Sequence, residues 1–391
     1  MFKRIIVIVL DSVGIGSLPD ANKYGDFDVN TLVHIASSQG GLFLPTLGSL
    51  GLSSIEPILG VEKLQKPIGS FGKMAEISKG KDTTTGHWEM AGCPIFQPFP
   101  LYPDGFPPDV VKSFIQHTGY RVLGNKVASG TAIIDELGSE HMQTGDPIIY
   151  TSGDSVFQIA AHEDVISLPQ LYEMCNITRE KVCIGQHAVG RIIARPFIGV
   201  PGAFTRTANR HDYSLTPQTP TILDILKDSG LVVTGVGKIG DIFAQQGLSV
   251  SLPTKSNDHG MQTLLNITRQ SNDEGLIMAN LVEFDSGYGH RNDPRGYGKA
   301  LERFDGQLAM LLDQLRETDL LLITADHGCD PTAPGTDHTR EYVPLLSYFK
   351  GCNSHDLGIC HTFADLAATI AENFSVLPLS YGQSFLQKIL R

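Results

Sequence analysis

The chain has 391 residues, of which 41% are hydrophobic and 18% charged, and a formal net charge of −12. Such a composition is that of a globular protein, and the length suffices for two domains. A balance this acidic excludes nucleic acid and anionic membrane surface as general partners, and no apolar run reaches the roughly 18 residues of a membrane-spanning helix.

In chain order, the first signal is the apolar run IIVIVL (5–10), which reads as a buried parallel strand and ends at Asp11. The run is too short for a signal peptide and lacks a small-residue cleavage site, so a cytoplasmic protein is expected. GIGSLP (14–19) lacks a third glycine, and GxxxxGK[ST] occurs nowhere, which excludes a P-loop. Next comes KDTTTGHW (81–88), with three consecutive hydroxyls and the only Trp. Residue type alone leaves Thr83, Thr84 and Thr85 equivalent as nucleophiles. Residues 96–115 are rich in Pro and Phe and read as an irregular entry to a different block. Residues 120–200 mix short β-like runs (PIIYTSGDSVFQIAA, RIIARPFIGV) with helical pieces, and 201–220 are loop-like.

Within that block, Arg191, Arg195, Arg206, Arg210 and His211 stand together with no acid from 191 to 211. They form either a solvated basic face or guanidiniums that grip phosphate in fork geometry. Ser152 and Asp154 have the chemistry to bond sugar hydroxyls, although a Ser or Asx turn explains the SGD triplet equally well.

Three further strand-like runs follow, LVVTGV (231–236), LIMANLV (276–282) and LLLIT (320–324). Between the last two, Leu301, Phe304, Leu308, Leu311, Leu312 and Leu315 recur at helical spacing. Strand runs on both sides of the middle block predict an α/β core, residues 1–95 and 216–391, with a mostly parallel sheet between helices. An inserted α+β cap, 96–215, interrupts it. GVGKIG (235–240) is a literal GxGxxG, but no long helix follows and no strand ends in an acid about 20 residues on. A tight turn that projects Lys238 is the better reading.

The strands end alike. IIVIVL runs into Asp11, LIMANLV into Glu283 and Asp285 with His290 beyond, and LLLIT into Asp326-His327. PGTDHTREYVP adds Asp337 and His338. Ligands bind at the carboxyl ends of parallel strands, and gathered carboxylates and imidazoles require compensating cations. Asp11, Asp285, His290, Asp326, His327 and His338 offer six donors, too many for one tetrahedral ion but suited to two. Each residue alone has an ordinary structural explanation; the set at matching strand ends does not. Cys93, Cys175, Cys183, Cys329, Cys352 and Cys360 contain no CxxC and read as reduced thiols rather than a disulfide framework or a zinc site.

LDSVGIG (10–16), GKDTTTGHWE (80–89), YTSGDSVFQIAAHE (150–163), GRIIARPF (190–197), FTRTANRHDY (204–213), TADHGCDP (324–331) and PGTDHTREYVPLL (334–346) together resemble the bacterial phosphopentomutases. That family belongs to the alkaline phosphatase superfamily, with the cofactor-independent phosphoglycerate mutases, and the resemblance spans nearly the whole chain. It implies an alkaline-phosphatase-like core with a cap, and interconversion of ribose 1-phosphate and ribose 5-phosphate, or the 2-deoxy sugars, in nucleotide salvage. It implies two divalent ions, usually manganese: one on Asp285, His290 and His338, the other on Asp11, Asp326, His327 and the nucleophile's oxygen. The reaction passes through a phosphothreonine enzyme and a 1,5-bisphosphate, and a sugar bisphosphate primes the enzyme. Ser152, Val156, Arg191, Ile193, Arg206 and Lys238 would contact the sugar phosphate, with Asp154 close to the sugar. The related phosphoglycerate mutases carry a nucleophile two residues before a Gly-His, and that register selects Thr83. Thr84 and Thr85 then open a helix whose N–H groups would help hold phosphate. A phosphatase or phosphodiesterase with the same metal centre is the main alternative. It would release free phosphate instead of isomerising the substrate.

Overall fold

A computed structural model describes residues 1–153 and 155–391. It divides the chain into Met1–Gln97 with Pro217–Arg391, and Pro98–Thr216. In chain order, β1 (Arg4–Leu10) and β2 (Ser70–Met74) belong to the first unit. The second holds β3 (Leu123–Val127), β4 (Ile148–Thr151), β5 (Val156–His162), β6 (Arg191–Ile198), β7 (Thr205–Arg206) and β8 (His211–Ser214). The first resumes with β9 (Val232–Val236), β10 (Val250–Leu252), β11 (Gly275–Leu281), β12 (Asp319–Thr324), β13 (Val343–Tyr348) and β14 (Asp356–Cys360).

The first unit is built on one sheet ordered β10-β9-β11-β1-β12-β13-β2-β14. All its pairs are parallel except those of β13, which runs antiparallel to β12 and β2. Every residue of β1, β11 and β12 is buried, which is why these strands read as unbroken apolar runs: both faces are covered. At the opposite end of β1 from Asp11, Arg4 forks onto Asp319, Nη2 to Oδ2 at 2.6 Å and Nε to Oδ1 at 3.0 Å. This buried pair fixes where β1 and β12 start. Helix Pro294–Gln314 buries Leu301, Phe304, Leu308, Leu311 and Leu312. Asp293 caps it by accepting from the Gly296 N–H.

β9 ends in a turn at Gly237, whose φ of 77° suits glycine. Only a four-residue helix follows, and Lys238 is exposed at the sheet edge.

The second unit holds a mixed six-stranded sheet, β3-β4-β5-β6-β7 with β8 on β6. Alternate residues of β5 enter two cores. Phe157, Ile159 and Ala161 pack with Val110, Phe114, Leu171 and Met174 from helices Pro108–Thr118 and Leu168–Ile177. Ala160 packs with Ile133 and Ile134 from helix Gly130–Thr144. The Pro-rich stretch expected to be irregular through 115 is helical from Pro108 onward. Proline at a first helical position loses no bond, because that N–H has no partner in the helix anyway. Among the described residues, no helix is long and apolar enough to cross a membrane.

Candidate active site

β11, β1 and β12 are adjacent and parallel, so their carboxyl ends share one edge of the sheet. Asp11 leaves β1 directly, Asp285 lies four residues past β11, and Asp326 two past β12. β13 runs the other way, so the segment before it, with His338, returns to that edge.

Two groups of donors form there. Asp11, Asp326 and His327 have ligand atoms within 4.8 Å of one another, and so do Asp285, His327 and His338. In the first group Asp11 and Asp326 are fully buried and His327 is 2% exposed. His327 Nε2 lies 3.4 Å from Asp11 Oδ1 and 3.5 Å from Asp326 Oδ2. Thr83 Oγ1 is 3.2 Å from the same nitrogen. In the second group His338 Nε2 is 3.4 Å from Asp285 Oδ1, and beside it His290 Nε2 is 3.1 Å from Asp285 Oδ2. The two imidazole Nε2 atoms face each other at 3.0 Å. Asp337 stays outside both groups; it is exposed and pairs with Lys81 at 3.2 Å.

These atoms fit divalent ions. Asp11 Oδ1, Asp285 Oδ1 and Asp326 Oδ2 are buried without a hydrogen bond, a costly state unless a cation satisfies them. Their ion-pair partners among the described residues are all histidines. His327 Nδ1 donates to the Gly328 carbonyl (3.0 Å) and His290 Nδ1 to that of Thr336 (2.6 Å). Each Nε2 is thereby left as a lone-pair donor, as in metal-ligating histidines. Without an ion, burial and Asp326 raise the Asp11 carboxyl. Burial would raise Asp326 also, but His327 and His87 hold it below the usual range. The hydrogen bond to Asp285 pushes His290 up to about 9. The cluster binds protons where it lacks other positive charge.

Thr83 begins helix Thr83–Met90, capped by Asp82. The Asp82 carboxylate accepts from the Thr85 N–H at 3.1 Å and from Thr85 Oγ1 at 2.5 Å. That corrects one expectation: the Thr85 N–H is taken by the cap and is not offered to phosphate. It also separates the hydroxyls, since Thr83 faces His327 while Thr85 is tied to Asp82. The helix is held at its far end. Trp88 Nε1 donates to the Ile242 carbonyl, and Glu89 accepts from the N–H groups of Ile77, Ser78 and Phe363. Gly86 packs so closely that a Cβ there would stand 2.1 Å from the Asp326 carbonyl oxygen.

Several supporting residues have no role assigned from the sequence, and all but Asn280 lie in the family-like stretches. Buried His87 places Nδ1 2.8 Å from the Thr83 carbonyl and 3.2 Å from Asp326 Oδ2. Asn280 donates to Asp11 Oδ2 at 2.7 Å, and the Ser12 N–H to Asp326 Oδ1 at 3.0 Å. Ser12 does so from a left-handed φ of 70°. Arg340 forks onto Glu76 (2.5 Å) and the Gly80 carbonyl (2.7 Å), fixing the loop that leads to Thr83. Glu341 accepts from Thr31 N, Thr31 Oγ1, Thr339 Oγ1 and Gly16 N. Its partners Gly16 and Thr339 lie five residues past Asp11 and next to His338, and the close approach requires a glycine at 14, where a Cβ would lie 2.3 Å from Oε2.

In the second unit, β5 and β6 pair Val156 with Arg191 and Gln158 with Ile193. Val156 and Ile193 are buried, and Ser152 is half-buried. Asp154 lies outside the described residues. Arg206 lines a cavity of about 690 Å³ with Arg195, Arg210, Thr131, Thr205 and Thr207; Arg191, Val156 and Ile193 do not. The run without acids does not stay uncompensated. Asp212, just past it, takes Arg210 bidentately at 2.6 Å and lies 3.7 Å from Arg191. Burial would raise its carboxyl, but Arg210, Arg191 and Arg195 hold it below the usual range.

The model of the metalloenzyme superfamily matches residues 3–378. A phosphopentomutase of Caldanaerobacter subterraneus subsp. tengcongensis is 57% identical over 390 residues, covering 100% of this chain and 98% of the relative. One of Clostridium novyi is 52% identical, with 100% of both chains covered. The chain belongs to the phosphopentomutase family. It is an enzyme of that family, and a divalent-metal enzyme. The solved PH0037 protein of Pyrococcus horikoshii, 14% identical, superimposes with a TM-score of 0.50 over 96% of this chain and 97% of its own, which extends the fold alone.

Proposed function

We propose that this enzyme isomerises ribose 1-phosphate and ribose 5-phosphate, with their 2-deoxy equivalents, through phosphorylated Thr83. Asp285, His290 and His338 hold one divalent ion, and Asp11, Asp326, His327 and the Thr83 oxygen the other. Manganese is the expected metal, and a sugar bisphosphate the primer. The ions supply Lewis acidity, lowering the pKa of the Thr83 hydroxyl and neutralising the charge of the transferring phosphoryl group.

The chain's own part follows from its geometry. His87 bridges the Thr83 carbonyl and Asp326, so nucleophile and metal ligand move together. Asn280 and the Ser12 N–H each take one oxygen of Asp11 or Asp326 and leave the other for the ion. Phosphothreonine 83 gives its phosphoryl group to the free hydroxyl of an incoming sugar monophosphate. The Thr83 O–P bond breaks and a sugar O–P bond forms, giving a bisphosphate. The Thr83 oxygen then takes the other phosphoryl group, restoring the phosphoenzyme and releasing the isomer. Arg191 and Arg206 grip the phosphate not being transferred, with Ser152, Asp154, Val156, Ile193 and Lys238 around the sugar. The protein works in the cytoplasm, in nucleotide salvage.

The observation that carries this reading is the Thr83 hydroxyl 3.2 Å from His327 Nε2, beside carboxylate oxygens with no hydrogen bond. Phosphorus NMR of the primed, Mn²⁺-loaded enzyme with ribose 5-phosphate tests it. The 1-phosphate signal is expected to grow with little inorganic phosphate. Stoichiometric inorganic phosphate contradicts the mutase and supports a phosphatase.

A further inference from the structure

A third group of donors stands at the metal centre, and it contains sulfur. The Cys329 Sγ, a carboxylate oxygen of Asp285 and a ring nitrogen of His290 lie within 4.8 Å of one another. That is the same limit within which Asp285, His327 and His338 are gathered. Cys329 is 1% exposed. Its sulfur lies against Gly289, where an added Cβ would stand 2.9 Å away, so it has little freedom to swing aside. Its thiol makes one weak hydrogen bond, to the Asp337 carbonyl at 3.6 Å. Asp285 is 6% exposed, and its Oδ1 is buried without a hydrogen-bond partner. A buried thiol and a carboxylate with one unsatisfied oxygen therefore share one small volume with an imidazole.

Sulfur ligands distinguish metals. Mn²⁺ prefers oxygen and imidazole donors and is among the weaker binders of the divalent series, whereas zinc-class ions gain strongly from thiolate. We propose that the centre has a second, thiophilic ligand set, Asp285–His290–Cys329, which captures Zn²⁺, Co²⁺ or Cd²⁺ in a mode that Mn²⁺ does not use. Binding forms a sulfur–metal bond and releases the thiol proton to solvent, with no change of oxidation state. Asp285 and His290 serve both sets, so a thiophilic ion competes directly with manganese. The inference rests on the metal reading of the centre.

The test is optical titration with Co²⁺ of the full chain, freed of metal by chelator. Visible d–d bands report any Co²⁺ bound, and a near-ultraviolet charge-transfer band reports thiolate bound to it. The expected result is both bands in the wild type, with Cys329→Ser losing the near-ultraviolet band and keeping the visible ones. Competition titrations should show the variant's loss of Zn²⁺ affinity exceeding its loss of Mn²⁺ affinity by about tenfold. Visible bands without the near-ultraviolet band in the wild type overturn this inference and leave the metal centre standing. A near-ultraviolet band that survives Cys329→Ser overturns it too. No visible bands at all overturn it together with the metal reading. The wild-type spectrum decides even if the variant fails to fold.

Discussion

In the first unit Asp11, Asp326 and His327 lie between 0% and 2% exposed, with carboxylate oxygens that make no hydrogen bond. In the second, Arg206 and Arg210 stand on the surface, lining an open cavity of about 690 Å³, with Asp212 already holding Arg210. Buried unpaired charge is expensive, and it persists where a fixed geometry must meet a cation. Exposed arginines cost little to keep and can exchange one anionic partner for another. On the proposed reading the contrast separates two tasks: phosphoryl transfer in the first unit, and holding a ligand that changes in the second.

The largest expected break of this contrast is Thr83→Ala. It should lower turnover by roughly 10⁴-fold or more, in line with removal of a covalent nucleophile, while thermal stability stays within a few degrees. Steady-state rates and a melting curve on the same sample check it. Removing the ions comes next. Binding at about a thousand times its dissociation constant stabilises the folded state by about 4 kcal/mol. EDTA should therefore lower the melting temperature of the wild type, and far less that of Asp11→Asn/Asp326→Asn, in which the unsatisfied acids are gone. Equal shifts in both would mean that no ion bridges these carboxylates.

The second unit should respond more gently. Arg206→Ala is expected to reduce kcat/KM by about 10- to 100-fold, the worth of one charged hydrogen bond in the range of 1.5–3 kcal/mol. Fluorescence titration should show no change in Mn²⁺ affinity. A matching loss of metal affinity would merge the two tasks that the contrast separates. The smallest effect concerns pH. Asp212 has a folded-state pKa below the ordinary carboxylate value. Its contribution to stability is present above about pH 4 and lost as pH falls through the folded value. Asp212→Asn should flatten the acid limb of a pH–stability curve slightly.

What could be read from the sequence follows the same division. β1, β11 and β12 were legible because strands covered on both faces are unbroken apolar runs, and their terminal acids pointed at one sheet edge. The order β11-β1-β12, with the antiparallel β13, was not. It depends on pairings across some 270 and 315 residues, such as Arg4 with Gly275 and with Asp319. β2 was missed because a five-residue strand with an internal glycine, SFGKM, has no apolar signature. Thr83 could be chosen only by register with a related family; its hydroxyl is distinguished by where the Asp82 cap sends that of Thr85. The contacts of His87, Asn280 and Glu341 were silent as well, although the Gly86-His87 pair set that register. Each is an ordinary polar residue until the fold brings it to a partner: Asn280 meets Asp11 269 positions away, and Glu341 meets Thr31 310 positions away. Cys329 reads as an ordinary reduced thiol because metal-binding cysteines are recognised by spacing, whereas Asp285 and His290 meet it only in space.

In the proposed reaction one hydroxyl of the Thr83–Thr85 run is the phosphoryl acceptor, and the buried charge cluster selects it. Fragmentation mass spectrometry of the 81–89 region, after incubation with glucose 1,6-bisphosphate and Mn²⁺, measures this directly. Phosphate on Thr83 alone, lost on adding ribose 5-phosphate, absent from Thr83→Ala and retained in Thr84→Ala, is the predicted result. Phosphate on Thr84 or Thr85, or an adduct that survives Thr83→Ala, contradicts it.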